Sequence, residues 1–115
     1  MCYIQRFGDD KYELRLIKDR YSNDGSLAVV AVKADGSVFC DVTKSIQETG
    51  ANETKAYVNV HSCPWLPEFL ERNGIAKPTG IVKQSGFPCY PLYEFDLTKL
   101  EDGEYYRWNT MEVYV

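Results

Sequence analysis

The side chains of this sequence best suited to chemistry are four cysteines, Cys2, Cys40, Cys63 and Cys89, and a single histidine, His61. The "HSC" at 61–63, with Cys40 and Cys89 as distant partners, offers a zinc-type donor set, because thiolates and imidazole suit that ion. Structural zinc sites usually carry paired, closely spaced cysteines, and none occur here. A cysteine nucleophile needs a base within hydrogen-bond reach and a group that stabilises the oxyanion. His61 would have to serve Cys63 or Cys89, and its spacing from Cys63 carries no triad signature. The carboxylate pairs Asp9-Asp10 and Glu101-Asp102 stand beside glycines, where solvated loops are expected over paired acid–base catalysis. The eight glycines are scattered and form no phosphate loop or dinucleotide fingerprint. No catalytic residue, metal or cofactor is therefore assigned. Buried thiols and a strand-end histidine are expected, and a small cysteine or metal-dependent enzyme centred on His61, Cys63 and Cys89 is the last of three alternatives.

Ring surface is the other feature with chemical content, at 14% aromatic residues with nine tyrosines. Trp65, Phe87, Tyr90, Tyr105, Tyr106 and Trp108 are the rings least easily placed by strand periodicity, and tryptophan and tyrosine are common interface anchors. They predict a protein-binding surface made of the helix start, the 85–91 turn and the C-terminal segment, with core and edge packing as the alternative for each. In "QSGFPCYPLYEFDL" at 84–97, Tyr93, Phe95 and Leu97 share one parity and are expected to form the buried face of a strand. Phe87 and Tyr90 lie beside prolines at the turn and are expected to be exposed.

These residues must be positioned by a chain that reads mostly as strands. "YIQRFGDDKYELRLIKDRY" predicts strands at 3–7 and 11–20 around a "GDD" turn, with Tyr12, Leu14 and Leu16 alternating with charged neighbours. "SNDG" at 22–25 is a turn signal. Asp35-Gly36 then joins two strands of "SLAVVAVKADGSVFCDVTKS" in a hairpin. The first of these, apolar on both parities, is expected to be central and covered on both sides. Residues 46–55 are expected to be an exposed loop, and "KAYVNVH" a further strand. A short helix from Pro64 or Trp65 to Asn73 is expected, with Ser62 as a cap, Trp65, Phe69 and Leu70 as its stripe and Asn73-Gly74 as its end. "AKPTG" at 76–80 reads as a returning turn, "TKLEDG" as one helical turn, and "YYRWNTMEVYV" as a closing strand or packed tail. The predicted fold is α+β, an antiparallel sheet of about five to seven strands with one main short helix packed on it.

The 115 residues predict one domain, with 44% apolar and 26% charged residues setting it apart from disordered chains. The net charge of −4 opposes direct nucleic-acid binding, which draws its affinity from lysine and arginine; an acidic protein could instead address a basic surface such as the groove of a nucleic-acid enzyme. No stretch is long and apolar enough to cross a bilayer, and the first residues lack the pattern of a signal peptide, so a cytoplasmic location with free thiols is expected.

The stretch "NVHSCPWLPEFLERNGIAKPTGIVKQSGFPCYPLYEFDLTKL" carries a resemblance. Cys63 before Pro64-Trp65, a short helix ending in Asn73-Gly74, the Pro78-Thr79-Gly80 turn, Ser85-Gly86 before an aromatic, Tyr90-Pro91 and then "YEFDLTKL" resemble a domain-of-unknown-function family, number 4313, of small proteins on bacterial conjugative elements. The similarity covers about residues 56–100, more loosely "RYSNDGSLAV", and does not reach "EDGEYYRWNTMEVYV". The resemblance supplies no active site and implies an accessory protein of a mobile element. Small acidic proteins in that setting include inhibitors of host defence, among them anti-CRISPR proteins. The leading expectation is thus a non-enzymatic binding protein whose partner is a host or phage-defence protein, of which a Cas nuclease is one example. The second is a self-associating structural or regulatory module of conjugation; the sequence leaves the oligomeric state open.

Overall fold

The computed structural model describes residues 2–21, 25–46 and 51–103. Alternating apolar residues and local turn chemistry build its first sheet. β1 (Tyr3–Phe7) and β2 (Asp10–Arg20) pair antiparallel from Tyr3↔Leu14 to Phe7↔Asp10. β3 (Leu27–Lys33) pairs along the other edge of β2, from Leu14↔Lys33 to Arg20↔Leu27. The turn to β4 (Val38–Asp41) is the predicted Asp35-Gly36 hairpin: Gly36 takes φ 88°, and the Asp35 carboxylate accepts from the Ser37 amide at 2.9 Å and its hydroxyl at 2.6 Å. β3 is central, as expected, but its two faces differ. Leu27, Val29 and Ala31 are buried, whereas Ala28 and Val30 on the opposite face are only half-buried.

At Val42 the chain passes from the first sheet to the second. The Val42 amide donates to the Val29 carbonyl, while its own carbonyl accepts from the Asn59 amide, so this fully buried residue joins both layers. The second sheet has the order β5 (Thr43–Lys44), β6 (Lys55–Val58), β8 (Cys89–Phe95) and β7 (Ala76–Gln84). Beyond a 3-10 turn at Leu97–Lys99, β9 (Glu101–Asp102) returns to the first sheet and lies parallel to β2. The α+β class stands, with nine strands in two sheets among the described residues.

α1 (Leu66–Arg72) closes the core between the sheets. Leu66, Phe69 and Leu70 are fully buried against Leu14, Leu16 and Val29 of the first sheet and Val58, Tyr93 and Phe95 of the second. Trp65, not Ser62, holds the N-cap position, without a side-chain capping bond. Its ring instead packs edge-on to Phe69 at 5.4 Å and Phe7 at 5.5 Å. Gly74, at φ 66°, ends the helix as predicted, and the Ile75 amide donates to the Leu70 carbonyl at 2.9 Å.

Three further local readings change. "AKPTG" is the first half of β7, because Ala76–Pro78 pair with Phe95–Tyr93. The 46–55 segment is not wholly exposed: Ile46 is buried over the outer face of the second sheet, and Ala51 packs with it. Glu101-Asp102 is an ion-paired strand and not a solvated loop, since Arg15 donates to both Glu101 oxygens and Lys18 stands 3.2 Å from Asp102. The predicted C-terminal strand or tail lies outside the described residues.

Candidate functional site

The single histidine lines an open cleft of about 550 Å³ where the end of β2 meets β5 and the segment after β6. Asp19, Asp41, Asn59, His61 and Ser62 supply polar groups there, above Ala28, Val30 and Tyr90. The cysteines are elsewhere. Cys63 is buried in the core beside half-buried Cys40, while Cys2 and Cys89 are exposed. Burial, followed by the neighbouring Cys63 thiol, pushes the Cys40 thiol well above its ordinary range, which suppresses the reactive thiolate. Among the described residues no hydrogen bond links His61 to a thiol, and no three His, Cys, Asp or Glu side chains converge as a metal cluster. His61, Cys63 and Cys89 are therefore not brought together.

The ring surface is likewise redistributed. Trp65 is half-buried at the centre of an aromatic cluster with Phe7, Phe39 and Phe69. Tyr90 is 5% exposed, which corrects its placement as an exposed ring. It packs with Ile46, Tyr57 and Leu92 in a second core on the outer face of the second sheet. The proline beside it is registered with Val82 of β7 and does not set the face to which the ring turns, which Tyr57 and Leu92 already make apolar. Tyr105, Tyr106 and Trp108 lie outside the described residues.

Phe87 is the predicted anchor that reaches solvent, and it does so completely, at 100% exposure. It sits at the tip of the β7–β8 hairpin, in a turn fixed by the Ser85 amide to the Pro88 carbonyl and the Gln84 side chain to the Gly86 carbonyl, each 3.0 Å. Gly86 takes φ 70°, a conformation that glycine adopts without steric cost.

Two exposed apolar residues of the same hairpin were missed from the sequence. Ile81 and Val82, 54% and 59% exposed, are consecutive on β7 at a bulged stretch. They become exposed because the hairpin departs from the core at a bulge. The register moves from Pro78↔Tyr93 to Val82↔Pro91, so β7 advances four residues while β8 advances two. Gly80 at φ 90° takes up the excess, and Thr79 secures it by donating to the Leu92 carbonyl at 2.9 Å and accepting from the Ile81 amide at 3.2 Å. The available signal was charge: Glu71 and Glu94 bracket a stretch with Arg72, Lys77 and Lys83 and no carboxylate.

Among the described residues no helix is long and apolar enough to cross a membrane. No curated protein and no solved structure matches the chain. A family model does match, from Arg15 within β2 through Val115; it therefore extends beyond the motifs at 56–100 and includes the C-terminal segment that they do not reach. Over that span the chain belongs to the family described as Domain of unknown function (DUF4313).

Proposed function

We propose that this chain is a non-enzymatic, protein-binding accessory protein whose docking element is the β7–β8 hairpin. The observation that carries the reading is Phe87, a full aromatic ring left in water on a hydrogen-bonded turn. Burying such a ring yields about 1.5–3 kcal/mol, which folding leaves unused here and association can recover. Ile81 and Val82 extend the apolar surface along the same arm. The arm's backbone is defined before binding, so little loop-ordering entropy opposes association.

A foreign partner is favoured over self-association by the character of the hairpin's outer edge. β7 is an edge strand interrupted by Pro78, a bulge and two lysines, devices that oppose strand-to-strand pairing between copies. In the mobile-element setting that the resemblance implies, the partner would be a host or phage-defence protein, of which a Cas nuclease is one example. The test is affinity capture from a bacterial host with the tagged chain and its Phe87→Ala variant, after circular dichroism shows equal folding. Retention of a specific partner should fall at least ~10-fold in the variant, the loss of more than 1 kcal/mol expected of an anchor. Undiminished retention in both Phe87→Ala and the Ile81→Ser/Val82→Ser double variant overturns the hairpin as docking element.

A further inference from the structure

We infer that the hairpin's partner offers a groove whose apolar floor takes Phe87 and whose rim carries carboxylates, a surface of opposite sign to the basic groove suggested by the chain's net charge. This inference rests on the reading of the hairpin as a docking element. Its basis is the segregation of charge: the molecule carries −4 overall, yet the stretch between Glu71 and Glu94 contains Arg72, Lys77 and Lys83 and no carboxylate, the two lysines lying on β7. Of the cations around that stretch, Arg15, Lys55 and Arg72 are held in ion pairs with Glu101, Glu94 and Glu68. Among the described residues neither Lys77 nor Lys83 forms one. Lys77 faces Glu94 across the strands, whereas Lys83 faces the uncharged Tyr90.

Distance decides which charge a docked partner feels. Screening reduces interactions beyond about 8 Å at physiological salt, so a partner closed around the arm meets its lysines more strongly than the remote carboxylates that set the net charge. A basic groove would confront Lys83 at contact range, and like charges at an interface are costly. A carboxylate rim pairs it. Phosphate-bearing partners fit less well. Two lysines provide little of the multiple phosphate contact on which nucleic-acid affinity depends, and the net negative charge opposes approach to an anionic bilayer.

The experiment places p-benzoylphenylalanine at position 87 of the full chain, irradiates it in a bacterial host, and identifies cross-linked peptides by mass spectrometry. A specific adduct is expected at a partner site flanked by Asp or Glu. Lys83→Glu should lower its yield about 10-fold, Lys83→Arg should preserve it, and a partner Glu→Lys change at the rim should restore capture by Lys83→Glu. An adduct unaffected or strengthened by Lys83→Glu overturns the carboxylate rim and leaves the docking hairpin standing. Absence of any specific protein adduct overturns both. In a parallel flotation with phosphatidylglycerol vesicles, binding that is lost in Phe87→Ala while no protein adduct forms would replace the partner protein with a bilayer.

Discussion

Tyr93 joins the core to water through a single oxygen. Its ring is buried between the sheets and α1, and its hydroxyl donates to Glu71 at 2.8 Å on the helix's exposed side. Burial, followed by that carboxylate, pushes its pKa up to about 12. The sign follows from which form the folded protein prefers. Because the folded value lies above the ordinary 10.0, the neutral phenol's contribution to stability is complete below about pH 10 and is lost as pH rises toward about 12. Tyr93→Phe should cost about 1 kcal/mol at neutral pH, since Glu71 can exchange the lost bond for water. The deficit relative to wild type should shrink across pH 10–12, because phenylalanine has no proton to lose. Urea unfolding measured from pH 8 to 12 tests this; a constant deficit would place the alkaline sensitivity elsewhere.

Local chemistry determines strands and turns well here, whereas element partners depend on contacts that no short window contains. The Asp35-Gly36 hairpin and the Asn73-Gly74 helix end were legible because each needs only its own backbone angles. Phe87 was legible for the same reason, as a residue in a glycine–proline turn. Tyr90 was not, since its burial depends on Tyr57 and Ile46 in other elements. Nor was the second sheet, which arises at Val42 through bonds to Val29 and Asn59. β9 is the clearest case, pairing Glu101 with Ile17 from the far end of the described chain. Its docking ends at Gly103, whose amide donates to the Lys18 carbonyl at 2.8 Å. A Cβ at Gly103 would stand 3.0 Å from that same carbonyl oxygen and 3.1 Å from the Ile17 side chain. Asp19, at 2.6 Å, can rotate away; the carbonyl cannot without stretching the bond it accepts. Gly103→Ala should therefore destabilise the protein by about 1–3 kcal/mol, measured by chemical denaturation. Asp19→Ala should not rescue it, and a neutral Gly103→Ala would show that this docking is dispensable.

The whole molecule separates rings that hold it together from one that does not. Phe69 is fully buried where α1 meets both sheets, in contact with the rings of Tyr3 and Trp65. Phe87 is fully exposed at the hairpin tip, beyond a bulge that carries the arm away from that core. If stability and partner binding occupy different parts of the chain, they should be separable by substitution. Phe69→Ala should cost about 3–5 kcal/mol through lost burial and the cavity left behind. For a domain of this size that lowers the thermal midpoint by at least about 10 °C. Phe87→Ala should leave the midpoint within about 2 °C of wild type, because it removes no described packing contact. A comparison by calorimetry distinguishes the arrangements: a large loss at Phe69 with none at Phe87 fits an arm held ready for a partner, whereas a comparable loss at Phe87 would mean that the ring is buried in the protein's own assembly in solution.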